Sequence, residues 1–234
     1  MTSAPGEGGA RRSARGASTG LMQLSHTVVG PPVLRWLRCE VTGAEHVPAA
    51  GGVILAANHR SFLDHFTLGA ASPRPMRFLG KASLADGLSG RFNLAMGMIP
   101  VQRGTADLGA LGVVTEALRG GAVVGIFPEG TRSPTGELFR FRSGMARVAA
   151  DAGVPIVPVG LTGMAEVWPR GQTAPSPRRP RAGRTAIRFG APVFLADDSA
   201  RSRRAATTAV FAAITDLCGQ PVASGFAPIP AEGA

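Results

Sequence analysis

Tyrosine is absent from this 234-residue chain, lysine occurs once, as Lys81, and there are only two tryptophans and two cysteines. These shortages narrow the function. A surface that stacks nucleic-acid bases interleaves aromatic rings with basic side chains. The basic run Arg178, Arg179, Arg181 and Arg184 is broken by Pro180 and contains no ring, so nucleic acid is not an expected partner. Cys39 and Cys218 stand far apart and read as reduced, buried thiols rather than a disulfide framework. All four histidines, His26, His46, His59 and His65, fall in the first 65 residues. That leaves no downstream imidazole for a hydrolytic zinc site, and no metal is expected. Neither a Gly-x-Ser-x-Gly elbow nor a Gly-x4-Gly-Lys-Ser/Thr loop occurs, against a serine hydrolase and a P-loop nucleotidase. No stretch reaches the ~18 uninterrupted apolar residues that a spanning helix needs.

What the sequence does hold is core material and positive charge. The hydrophobic fraction is 44% and the formal net charge +10, enough for one sizeable core and in want of an anionic partner, either anionic lipid or a phosphorylated substrate. Because nearly all of that charge is arginine, codon composition accounts for part of it. Residues 1–20, rich in Gly, Ser, Ala and Arg, read as a disordered tail. Leu21, Leu24, Val28, Val29, Val33, Leu34 and Leu37 recur at helical spacing across Gly30, Pro31 and Pro32. That pattern predicts an amphipathic arm over 21–38, in two pieces with a kink. Trp36, close to Arg35 and Arg38, suits a lipid headgroup interface, and the same stripe would equally suit packing on the chain's own domain.

From 39 to 218 short β-branched runs alternate with helical segments, the pattern of a single α/β domain with a mostly parallel or mixed central sheet flanked by helices. Strands are expected at Val53–Ala57, Met76–Leu79, Met98–Val101, Val123–Phe127, Ile156–Val159 and Thr185–Phe189. Helices are expected near 63–72, 107–119, 143–152 and 201–217. Residues 168–183, rich in proline and arginine, read as a mobile surface loop, and 219–234 as a C-terminal tail.

Chemistry concentrates where expected strands end. Asn58-His59-Arg60-Ser61-Phe62-Leu63-Asp64 follows the first of them directly, the place where an α/β sheet presents reactive groups. Inside one regular helix His59 and Asp64 would lie roughly 140° apart and could not meet. Ser61 and Asp64, however, form a serine-x-x-acid capping box that would start the helix at Ser61 and leave His59 in the preceding turn. The imidazole could then curl back to the carboxylate, which would orient it as a base for a substrate hydroxyl. The alternative is a helix cap beside an unrelated turn histidine. Phe127-Pro128-Glu129-Gly130-Thr131-Arg132-Ser133 follows another strand, and Gly97 to Gly104 brings Arg103 to a third. Two guanidinium groups at one crevice would clamp a phosphate; singly, each could be an ordinary surface arginine.

These segments resemble the glycerolipid acyltransferase family, in particular its bacterial 1-acylglycerol-3-phosphate acyltransferases. Asn58-His59-x4-Asp64, Gly97–Gly104, Phe127–Ser133 and Val154-Pro155-Ile156-Val157-Pro158-Val159 stand in the family's order, and Lys81-Ala82-Ser83-Leu84 resembles the lysine segment between the first two. The resemblance implies an O-acyltransferase in which His59 is the catalytic base and Asp64 its partner. It implies that Arg103, Glu129 and Arg132 hold the acceptor, with Gly130 and Thr131 shaping the turn and Lys81 near the phosphate. It further implies an acyl-CoA or acyl carrier protein thioester as co-substrate and no other cofactor. The lysophospholipid acceptor would lie at an anionic membrane surface, with the protein peripheral on the cytoplasmic face. The acceptor favoured is 1-acylglycerol 3-phosphate; another lysophospholipid, a lyso-aminolipid or glycerol 3-phosphate is left open.

Overall fold

A computed structural model describes residues 19–101 and 108–228. One seven-stranded sheet organises them, its strands being β1 (Glu40–Thr42), β2 (Val53–Ala57), β3 (Met76–Lys81), β4 (Met98–Val101), β5 (Val123–Ile126), β6 (Ile156–Thr162) and β7 (Ala186–Phe189). Their spatial order is β1-β7-β6-β2-β5-β3-β4. Every neighbouring pair is parallel except β6 with β7. The sheet is therefore mostly parallel, as the alternating pattern predicted.

β2 sits in the middle with all five residues buried. A strand covered on both faces needs apolar side chains at every position, since successive residues point to opposite sides. Val53, Leu55 and Ala57 join a core with Val123, Val157 and Val159. That core is closed by Leu37 and by Leu68 and Ala71 of α3 (Asp64–Ala71). Ile54 and Ala56 join a second core with Val124 and Ile156 on the other face. Helices α5 (Leu108–Arg119), α6 (Gly144–Ala152) and α8 (Ala200–Cys218) cover that face through Val114, Leu118, Val148, Val210 and Ile214, while the short α7 (Met164–Val167) follows β6 on the first face. Each such aliphatic side chain contributes roughly 1.5–3 kcal/mol by leaving water.

The arm begins as α1 (Thr19–Leu24), passes through a π-helical stretch over Ser25–Val29, and resumes as α2 (Gly30–Leu37) with Pro31 and Pro32 in its first turn. The π-helical stretch lies just before the prolines at which the sequence placed the kink, and the backbone stays helical across the junction, since prolines fit the start of a helical turn. The arm's inner side bears out the reading of packing on its own domain. Leu37 is buried against the sheet, and α2 packs on α3, where a Cβ on Gly30 would come within 3.2 Å of the Ala70 Cβ. Leu21, Leu24, Val28, Val29 and Trp36 on its outer side remain exposed.

Four expectations change. β1 was not foreseen; it is three residues long and held by pairing with β7. Helix α4 (Gly87–Ala95) was not foreseen either, its apolar residues lacking helical period. The 168–183 segment is anchored rather than loose: Arg179 donates to the carbonyls of Arg35 and Trp36, and Ser176 N donates to Val167 O. The tail expected from 219 is, through residue 228, packed on the 138–142 segment. Leu138 N bonds Pro221 O, Ala223 N bonds Leu138 O, Arg140 N bonds Gly225 O, and Ala227 is buried. Residues 1–18 and 229–234 of the two expected tails lie outside the described residues.

Candidate active site

β2 and its neighbour β5 run parallel, so both release their chains at the same edge of the sheet. Asn58, the first residue past β2, is buried and locks this end to β6: its amide donates to Leu161 O at 2.9 Å and accepts from Leu161 N at 2.7 Å. It also donates to the Gln220 side chain, drawing the C-terminal segment into the frame.

His59 follows, and the turn after β5 grips both its backbone groups. Its N–H donates to Glu129 Oε1 at 2.8 Å, and its carbonyl accepts from Ser133 N at 2.7 Å. Its ring stacks on Phe127 with centroids 4.0 Å apart, and Nδ1 lies 3.0 Å from Asp64 Oδ2. That oxygen also accepts from Arg60 N at 2.6 Å and Ser61 N at 2.7 Å. An oxygen that accepts two backbone amides acts as an acceptor toward the ring as well, so Nδ1 is the donor of this pair and Nε2 the remaining ring nitrogen. Nε2 has no hydrogen bond among the described residues and is not sealed from solvent, whereas Asp64 is 1% exposed.

The helix starts later than the capping box predicted. α3 begins at Asp64, with no side-chain bond from its N-cap Leu63. The Ser61 hydroxyl accepts from Leu63 N instead, and Asp64 reaches back to Ser61 N. Half of the box forms, and the three residues gained stay in the turn that lets His59 face Asp64.

Glu129 is 1% exposed, and its oxygens accept from His59 N and, at 3.1 Å, from Phe139 N. Burial pushes its carboxyl up to about 7, against the pull of these two amides. The structure thus places it beneath the site, tied to backbone. Gly130 has φ 81°, in the left-handed region, and a Cβ there would meet Arg142 Nε at 3.0 Å. Thr131 is buried. The Arg132 side chain is part-exposed, and burial followed by the neighbouring charge of Arg170 lowers its guanidinium from the usual range, with Asp64 opposing.

Lys81 closes β3, next to β5, level with Val101 at the end of β4. Its backbone therefore stands at the same edge as His59 and the Glu129 turn. Arg103 lies outside the described residues. His65 turns into a nest of Phe62, Phe66 and Phe78, whose rings lie 4.9, 4.0 and 4.9 Å away. Desolvation there, then the charges of His59 and Arg132, lowers its pKa to about 3. Among the described residues no group of three His, Cys, Asp or Glu is disposed around a metal ion.

The sequence reading missed the brace made by Asn58 and Gln220, and it missed the loop beyond β6. There Trp168 O accepts from Ser61 Oγ at 2.8 Å, and the Trp168 ring packs 4.9 Å from Phe62. A tryptophan at the root of a polar loop was the available signal.

The sequence model of the Acyltransferase family matches residues 38–162, which include His59, Asp64 and the whole Phe127–Ser133 turn. The chain belongs to the acyltransferase family. Among its relatives within that family is a chloroplastic 1-acyl-sn-glycerol-3-phosphate acyltransferase of Brassica napus, 33% identical over 138 residues, or 57% of this chain and 40% of that one. A 1-acyl-sn-glycerol-3-phosphate acyltransferase of Borreliella burgdorferi is 32% identical over 55% of this chain and 52% of its own length. This acyltransferase-family chain therefore spans about two fifths to one half of the length of these relatives. Its fold is also that of the crystal structure of the 1-acyl-sn-glycerophosphate acyltransferase from Thermotoga maritima. The TM-score is 0.68 at 24% identity, covering 90% of this chain and 87% of the other.

Proposed function

We propose that this protein transfers a fatty acyl group from a thioester, acyl-CoA or acyl carrier protein, to the free hydroxyl of 1-acylglycerol 3-phosphate, giving phosphatidic acid. The reaction is carried by one observation: a histidine oriented by a buried carboxylate through Nδ1, with Nε2 unpartnered among the described residues, at the carboxyl edge of a mostly parallel sheet. The acceptor of the Brassica napus and Borreliella burgdorferi 1-acyl-sn-glycerol-3-phosphate acyltransferases supports this choice.

In the proposed step Nε2 takes the proton of the acceptor hydroxyl as its oxygen attacks the thioester carbonyl. The C–S bond then breaks, and the thiolate leaves with the bonding electron pair. A thiol of pKa ~8.5 departs with little help from an acid, so no second proton donor is required. The imidazolium formed is stabilised by Asp64, whose three donors hold its charge and position. Alignment of two bound substrates supplies much of the remaining acceleration. Arg132 faces the acceptor phosphate, and Lys81 and Arg103 are expected beside it. Glu129 acts through the backbone of His59, as the strut that sets its height, while Gly130 and Thr131 shape the turn.

The acceptor is membrane-borne, and the arm suits delivery from a bilayer. Among the described residues no helix is long and apolar enough to cross a membrane. Leu24, Val28, Val29 and Trp36 of the arm and Leu88 and Phe92 of α4, which the arm's first helix touches, expose apolar side chains, and Arg35 and Arg38 flank Trp36 in the chain. We assign this surface to the anionic headgroup boundary of a membrane, which the protein meets peripherally. A panel of lysolipid acceptors with one labelled acyl-CoA, read by product identity, tests the reaction. Labelled phosphatidic acid is the expected product; transfer only to a different acceptor, or thiol release that acceptor lipid does not raise, would contradict it.

A further inference from the structure

Arg170 lies outside every motif that marked the site in the sequence. Its position is nevertheless fixed. Trp168, two residues before it, accepts a hydrogen bond from the Ser61 hydroxyl through its carbonyl, rests its ring on Phe62 and donates from its indole to Gln172 O at 2.9 Å. From this anchor Arg170 reaches across to the other turn, where its Nη1 donates to the carbonyl of Arg132 at 3.0 Å. The loop thereby ties the His59 turn to the Arg132 turn and brings the Arg170 guanidinium to the Arg132 backbone, near enough for its charge to act on the Arg132 guanidinium.

The acids that might neutralise this pair are already engaged. Asp64 Oδ2 accepts three donors, and each Glu129 oxygen accepts a backbone amide. Among the described residues neither Arg132 nor Arg170 takes part in an ion pair. Adjacent like charges repel, and an anion bridging them turns that cost into attraction. A guanidinium has five N–H donors, so the bond to the Arg132 carbonyl leaves Arg170 with donors to spare.

We propose that Arg170 and Arg132 together form a two-guanidinium clamp for the phosphomonoester of the acceptor, and that Arg170 is thereby a specificity-determining residue. This rests on the reading of the acceptor as 1-acylglycerol 3-phosphate. A phosphomonoester brings close to two negative charges and three terminal oxygens, enough for both forks. A phosphodiester brings one charge and two such oxygens, and occupies only one fork well.

Arg170→Gln keeps a donor for the Arg132 carbonyl and removes the charge. With acyl-CoA as donor, its KM for 1-acylglycerol 3-phosphate is expected to rise about tenfold to a hundredfold, the value of one charge-assisted contact, while kcat and the acyl-CoA KM hold. The KM for lysophosphatidylcholine should change less than twofold, and Arg170→Lys should recover part of the loss. Calorimetric titration with monomeric 1-acylglycerol 3-phosphate should show the same weakening without any turnover. Equal losses on both acceptors, or a fall in kcat at unchanged KM, would mark Arg170 as a strap and overturn the clamp. So would equal affinity of the two proteins for 1-acylglycerol 3-phosphate, or no affinity in either. Should the unmodified protein bind this lipid without acylating it, the reaction fails while the titration still judges Arg170.

Discussion

At the residue scale, the site depends on which atom holds which proton. Asp64 accepts from His59 Nδ1, Arg60 N and Ser61 N on one oxygen. Asp64→Asn would turn an amide toward one of these donors and favour the wrong tautomer, so kcat should fall by about 10²–10⁴-fold, the usual worth of a positioned base, at little change in acceptor KM. Steady-state kinetics with acyl-CoA checks this. Glu129 titrates from a raised value, about 7 against 4.5 for an ordinary glutamate. The folded chain thus binds this proton more tightly than the unfolded chain does. Its contribution to stability is complete below about pH 4.5 and is lost as pH rises through about 7. Glu129→Gln should lower stability overall, since its amide nitrogen must face the N–H of His59 or Phe139, and should flatten this pH dependence. Thermal unfolding of both proteins between pH 4.5 and 8 checks it. The dyad was legible in the sequence because its members stand five positions apart and Ser61 with Asp64 makes a serine-x-x-acid pattern, whose acid half forms even though the helix starts at Asp64. The strut was not, because Glu129 meets His59 across 70 residues, and no local pattern reports a carboxylate bonded to distant backbone.

At the scale of elements, the site is held by joints between strand ends. Asn58 bonds both backbone groups of Leu161. Asn58→Ala would orphan two buried polar groups at roughly 1–3 kcal/mol each; the expected drop in stability is read by denaturant unfolding. Gly30→Val would press β-branched carbon against Ala70, where even a Cβ lies at 3.2 Å, and should loosen α2 from α3, seen as faster amide exchange in both. Strands β2 to β7 and helices α3, α5, α6 and α8 could be read in advance, because apolar runs and helical periods are local signals. β1 and residues 219–228 could not. Glu40–Thr42 is ordered by β7, and the C-terminal segment by backbone bonds to 138–142, so neither carries an apolar pattern of its own.

At the scale of the molecule, the arm and α4, which touch each other, both leave large apolar side chains in water. Leu24 is 57% exposed, Val28 57%, Leu88 84% and Phe92 54%. Leu24→Asp with Val28→Asp should abolish co-sedimentation with vesicles containing anionic lipid while leaving the folded domain intact by circular dichroism. Retained sedimentation would place the membrane contact elsewhere. The central claim concerns His59. The most direct test is acceptor-dependent thiol release from acyl-CoA by His59→Ala, at saturating 1-acylglycerol 3-phosphate and with lipid binding measured on the same sample. Direct transfer predicts release reduced by about 10²–10⁴-fold at unchanged acceptor affinity; release close to that of the unmodified protein would contradict it.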